Sequence, residues 1–186
     1  MIQTEDTDCG MGYVGPPPTH NPYTGKDTYT SWQTPAGLFN YLDMIYGFNV
    51  DAAADQKSKK HYTYYGPGSE FGEDALAVER WMSPAFCNPP YGKGIEKWLE
   101  KFVEQSSQRS VTTVALLPAR TESRWWAKGI VPYASVIFLT GRVPFVGPDQ
   151  ASGKKPQPDH PSALCIYQPL PPAAPRWWDW RKDVEL

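Results

Sequence analysis

The run AFCNPPYGKG, residues 85–94, holds the side chains in this sequence best placed to do chemistry. A short apolar segment ends in Asn88, two prolines follow, and Tyr91 and a glycine lead into an amphipathic stretch. Proline fixes φ and has no backbone N–H, so Pro89 and Pro90 offer only carbonyls as main-chain polar groups. The Asn88 side-chain oxygen and the Pro89 carbonyl can then converge as acceptors on one amino group. An exocyclic aromatic amine is a poor nucleophile because its lone pair is delocalised into the ring. Two acceptors drawing on its hydrogens favour a pyramidal nitrogen with a localised lone pair, and Tyr91 would stack on the face of the ring. That geometry suits transfer of a methyl group from a sulfonium donor, which brings its own leaving group. Preorganised polar groups of this kind are typically worth about 10²–10³ in rate, and stacking of a base on an aromatic roughly 1–3 kcal/mol. The competing reading is a rigid strand-to-helix turn with Tyr91 as a packing residue. Pro-Pro alone decides nothing in a chain with 20 prolines among 186 residues.

The elements that must position this turn are legible around it. Thr34 is placed to be an N-cap with Pro35 at the first helical position, and Gly47 is a stop signal, which predicts a helix over about 35–46. GFNVD then reads as a short strand ending in Asp51. Residues 55–70 are polar and turn-rich, and DALAVERW predicts a further short helix. Ile95, Trp98, Leu99, Phe102 and Val103 recur with the spacing of a helix packed on one face. VTTVALL (111–117), ASVIFL (134–139) and SALCIY (162–167) read as strands, ESRWWAKGIV as a helix, and Gly141 turns the chain into RVPFV. Short apolar strands alternating with helices predict an α/β sheet covered on both sides, whose ligands sit outside the carboxyl ends of the strands. Asp51 and Asn88 both fall at such ends. Residues 1–30 read as an irregular arm, 31–170 as the catalytic domain, and 171–186, rich in Pro and Trp, as a tail.

Bulk composition narrows the function classes. The net charge of −2 argues against a strongly basic nucleic-acid binder, so such a partner must be met by a local site. Eight Trp, eleven Tyr and seven Phe supply more rings than a core needs, which suits stacking on flat partners. Cys9, Cys87 and Cys165, with His20, His61 and His160, have neither disulfide nor metal-ligand spacing, so no metal is expected. No apolar run approaches the roughly 20 residues of a membrane span, and the acidic start MIQTEDTDCG is unlike a signal peptide. A cytoplasmic protein with no membrane partner, monomeric or weakly dimeric, is expected.

NPPYG resembles the catalytic motif of S-adenosylmethionine-dependent amino-group methyltransferases. With WQTP, YGFNVDAAA, DAL, LLPARTESRWW and GRVPF, it resembles the phage-type DNA N6-adenine methyltransferases of the Dam family over roughly residues 31–167. The resemblance implies a Rossmann-like, mostly parallel sheet with an antiparallel hairpin at its C-terminal end and helices on both faces. It implies S-adenosylmethionine as cofactor, S-adenosylhomocysteine as product, and DNA with an extruded target adenine as partner. A phage or prophage origin within a bacterial host follows from the resemblance alone. Asn88, Pro89, Pro90 and Tyr91 match the catalytic turn. Trp32, Thr34, Pro35, Asp51, Ala52, Ala53, Asp74 and Asn88 match cofactor-binding positions, Asp74 facing the cofactor's adenine amine. Lys93, Arg120, Arg124, Arg142 and Phe145 are candidates for holding DNA or the displaced base. The usual glycine-rich cofactor loop is replaced by DAAADQ, and Asp55 is the candidate for the cofactor ribose. Thr34, Asp51, Asp74 and Phe145 also have plain structural readings as caps, strand end and core. Methylation of RNA or protein glutamine, or a non-catalytic binding module, are the alternative functions.

Overall fold

Residues 33–147 and 160–185 are described by a computed structural model. The expected arm, and Trp32 with it, lies outside the described residues. Helix α1 spans Ala36–Tyr46 and ends at Gly47, whose left-handed φ of 62° lets its N–H bond back to the Asp43 carbonyl. Pro35, not Thr34, is the N-cap, and it makes no side-chain capping bond. The shift has a cause: Gln33 pairs as an antiparallel bridge with Val146, which holds the preceding backbone extended and keeps Thr34 buried.

Strands β1 (Val50–Asp51), β2 (Ala85–Cys87) and β3 (Thr113–Pro118) pair in parallel, and β4 (Ala134–Leu139) pairs in parallel with β6 (Arg176–Trp178). Strand β5 (Ser162–Tyr167) lies antiparallel between β3 and β4, giving the order β1-β2-β3-β5-β4-β6. Five strands therefore point one way and β5 opposes them. The carboxyl ends of β1 to β4 and the start of β5 share one sheet edge, and the candidate site stands there.

Alternation along the strands sorts side chains into two layers. Ala115, Leu117, Cys165 and Tyr167 face helix α2 (Ile95–Arg109) and helix α3 (Arg124–Gly129), where Trp98, Phe102 and Trp126 pack. Val114, Leu116, Leu164 and Ile166 face α1, where Leu38, Phe39 and Leu42 pack. The stripe read from the sequence is the buried face of α2: Ile95, Trp98, Leu99 and Phe102 are buried and Val103 is partly so.

Two segments differ from expectation. DALAVERW makes a turn at Asp74 instead of a helix. Its polar backbone is held by distant side chains: Gln105 accepts from the Trp81 N–H at 2.8 Å and donates to the Glu79 carbonyl at 2.8 Å, while Tyr65 Oη accepts from the Met82 N–H. The C-terminal segment expected as a tail supplies β6 and a 3-10 turn, Trp180–Lys182, that buries Trp180 completely. It also brings Arg181 against Gly141, so closely that a Cβ there would stand 2.7 Å from the guanidinium carbon.

Candidate active site

The turn after β2 departs from the sheet between the ends of β1 and β3. Gly92 and Gly94, at φ 125° and 95°, reverse the chain from Tyr91 into α2 within three residues, a path that side chains with a Cβ rarely follow. Pro89 is buried, and Asn88, Pro90 and Tyr91 are half-buried, so the turn is anchored below and reachable above.

Tyr91 is the organiser of that turn. Its hydroxyl lies 2.6 Å from Asn88 Oδ1 and 2.9 Å from the Leu116 carbonyl, and can donate to either. Burial pushes the phenol well above its ordinary pKa, so it stays a protonated donor. A carbonyl oxygen has two lone pairs, and donation from Tyr91 to one leaves the other for a second donor while fixing the amide plane of Asn88. The ring meets Phe145 edge to face at 6.5 Å. Phe145 itself is buried in the α1 layer at 4% exposure, which makes it the support under Tyr91 rather than a surface contact for a base.

On the β1 side, Asp51 is buried at 3% exposure and accepts from the N–H of Lys60 at 3.0 Å and of Ala53 at 3.5 Å. Desolvation outweighs those bonds and raises its carboxyl from 3.8 to about 6. Burial draws the Lys60 ammonium below its ordinary value, with Asp51 countering, and Lys60 Nζ bonds Gln33 Oε1 at 3.1 Å. The pieces around residues 33–35, 51–53, 60 and 146 are thus tied together, although they are far apart in sequence. Ala52 is buried and bonds through its N–H to the Phe86 carbonyl at 2.7 Å, locking this loop to β2.

The raised Asp51 carboxyl has a sign that can be measured. Between its unfolded value near 3.8 and about 6, the native state holds a proton that the unfolded chain has lost. Its contribution to stability is fully present below about pH 4 and is lost as pH rises through about 6, by up to about 3 kcal/mol. Denaturant melts across that window should show Asp51→Ala with a flatter pH dependence than the parent; an identical slope would remove Asp51 as its source.

Asp74 is exposed, and its Oδ1 accepts from the Leu76 N–H at 2.9 Å. Asp55 is engaged inside its own turn with Ser58 and Lys57. On the β3 side, Lys93 and Arg120 are exposed and share a cleft of about 540 Å³ with Tyr91, Trp125 and His160. Arg120 Nη2 donates to His160 Nε2. Arg124 lies in a neighbouring groove between α2 and α3, and Arg142 is exposed on the turn after β4. The structure therefore gathers Asp51, Asn88, Tyr91, Lys93 and Arg120 along one edge, with Phe145 buried against Tyr91 and Arg124 in the neighbouring groove.

Sequence reasoning missed Lys60, Trp125 and His160. The ESRWW pair held a signal for one of them, because adjacent helical residues cannot both face the core. Lys60 and His160 carried none. Buried Cys87 and Cys165 are both pushed upward as thiols and are no nucleophiles. Among the described residues, no group of three or more His, Cys, Asp or Glu could hold a metal ion, and no helix is long and apolar enough to cross a membrane.

A protein-family model described as DNA N-6-adenine-methyltransferase (Dam) matches residues 21–176. No curated protein and no solved structure gives a significant match.

Proposed function

Because the chain belongs to the DNA N-6-adenine-methyltransferase (Dam) family, we propose that it transfers a methyl group from S-adenosylmethionine to the N6 amine of adenine in DNA. The observation that carries this reading is the Asn88 side-chain oxygen, fixed by the Tyr91 hydroxyl at the carboxyl end of β2. To one side stands a buried carboxylate, to the other a cleft with two cations.

S-adenosylmethionine, when bound, supplies a methyl group on a sulfonium leaving group and presents a cationic surface. The residues present fit it. Asp51 is a buried acid whose ionised form stays costly even with Lys60 nearby, so a further cation beside it would favour that form, and Ala52 and Ala53 leave room for close approach. The exposed carboxylate of Asp74 suits an exocyclic amine. Thr34, Pro35 and Trp32 stand as further cofactor contacts by family position, Trp32 outside the described residues.

At the acceptor, Asn88 Oδ1 and the Pro89 carbonyl draw on the two N6 hydrogens and Tyr91 stacks on the base. The amine nitrogen gains a usable lone pair, and its proton leaves to water after the methyl carbon has been bonded. Offering DNA, RNA and a glutamine-containing protein side by side with tritiated cofactor tests the reading. Label is expected in DNA; label in RNA or protein alone would overturn it.

Two further outcomes follow. Cofactor affinity should fall as pH drops from 7.5 to 5, and binding near pH 6 should release protons, because a cation favours the ionised Asp51. Calorimetry in buffers of different ionisation enthalpy reads both; pH-independent binding would take Asp51 out of the site. Tyr91→Phe keeps the ring but removes the hydroxyl's hydrogen bond to Asn88 Oδ1. One neutral hydrogen bond is worth about 0.5–1.5 kcal/mol, so kcat should drop roughly three- to tenfold with little change in KM for DNA. A wild-type kcat in that variant would show that the hydroxyl does not orient Asn88.

A further inference from the structure

The catalytic turn has two sides, and the sheet order assigns them. Strand β2 lies between β1 and β3, so Asp51 flanks Asn88 on one side and the loop after β3 flanks it on the other. With a cationic donor accommodated beside Asp51, the strand bearing the acceptor amine must approach from the β3 side. The cleft found there, about 540 Å³, is larger than one base requires.

Its walls have a distinct chemistry. Lys93 comes from the turn after Tyr91, Arg120 from the end of β3, Trp125 from α3 and His160 from the entry to β5. Trp126 is buried and stacks on Phe138 at 6.1 Å, which turns its neighbour Trp125, about 100° further round the helix, to the cleft. Trp125 is half-buried, its indole packed against the α2 layer on one side. Arg120 is held by its bond to His160. Two cations flanking an aromatic plate are what a nucleic-acid strand needs: phosphates meet the charges and a base meets the ring.

The neighbouring groove between α2 and α3, about 520 Å³, meets this cleft at Glu96 and Trp125. Glu96, Glu100 and Glu104 line it from α2, Arg124 and Lys128 line it from α3, and Glu104 is already paired with Lys101, so its charges are mixed. In the Lys93 and Arg120 cleft Glu96 is the one carboxylate among the described lining residues, which favours phosphate there.

We propose that this cleft binds the nucleotide adjoining the target adenine in the same DNA strand, its base stacked on Trp125 and its phosphates met by Lys93 and Arg120. The inference rests on the DNA methyltransferase reading for the identity of the neighbouring base, but strand binding is measurable without catalysis.

Fluorescence anisotropy with a fluorescein-labelled, mixed-sequence oligonucleotide, as single strand and as duplex, tests it. Trp125→Ala is expected to weaken binding of the single strand about tenfold, with Trp125→Phe close to wild type. Lys93→Ala and Arg120→Ala should each reduce the slope of log K against log salt by about 0.7 for the single strand. The thermal shift given by S-adenosylmethionine should be unchanged in all four variants, which separates loss of the cleft from loss of the fold. Unaltered affinity in Trp125→Ala with unaltered salt slopes in the charge variants would overturn the assignment, as would a wild-type protein that binds neither oligonucleotide. A protein that binds DNA through these residues yet methylates only another substrate would retain the strand site and lose the reaction assigned above.

Discussion

Asn88→Ala lowers kcat for methyl transfer to DNA by at least about a hundredfold while the protein stays folded and binds its cofactor. The expected size is that of one preorganised polar group lost from a transition state. Alanine deletes the acceptor that Tyr91 holds at 2.6 Å, and nothing nearby replaces it, because the two following residues are prolines whose carbonyls are fixed by the turn. The fold survives because the Tyr91 hydroxyl keeps the Leu116 carbonyl as partner and its ring keeps Phe145. The loss should fall on kcat, not on KM for DNA, since the contact tightens only as the amine pyramidalises. Single-turnover rates with saturating cofactor measure it. A variant within a few-fold of wild type would mean that the turn merely connects β2 to α2.

Trp180→Ala costs about 3–5 kcal/mol of stability, although it lies six positions from the end of the sequence and far along the chain from Asn88. Trp180 is fully buried in the α1 layer with Leu38, Leu139 and Val184. The chain beyond it runs so close to α1 that a Cβ on Gly37 would stand 1.9 Å from the Glu185 carbonyl oxygen. Deleting the indole therefore opens a cavity between α1 and the β4–β6 edge that neither element can close. Its Nε1 finds no acceptor among the described residues, so Trp180→Phe, which removes that N–H with part of the ring, should cost less. For a chain of this size, the alanine variant should melt about 10 °C lower or more. Leu170→Ala, at a residue 66% exposed, should stay within about 0.5 kcal/mol. Equal melting of Trp180→Ala and the parent would show the C-terminal segment to be separable from the domain.

What the sequence disclosed and what it hid divide along a physical line. Periodicity and punctuation report local structure, and the α2 stripe, the strand ASVIFL and the Gly47 stop all appear where their patterns placed them. The Asn88–Tyr91 turn is equally local, since its prolines and glycines dictate its path. Pairings across long separations left no such trace. Gln33 meets Val146 and Lys60, Trp81 meets Gln105, and Arg120 meets His160, each through residues with no mark in their own neighbourhoods. The DALAVERW helix failed for that reason: Gln105, some thirty positions on, supplies the hydrogen bonds that a helix would have made for itself. The C-terminal segment misled because Pro171, Pro172 and Pro175 mark irregular backbone, and nothing short of the tertiary fold shows that α1 needs Trp180 to cover it.

The most direct measurement digests DNA after incubation with the protein and S-adenosylmethionine and counts its methylated nucleosides by mass spectrometry. A polar turn that activates an exocyclic adenine amine yields N6-methyldeoxyadenosine with the wild type and background with Asn88→Ala. No methylated adenine from the wild type, or equal amounts from both proteins, would contradict it.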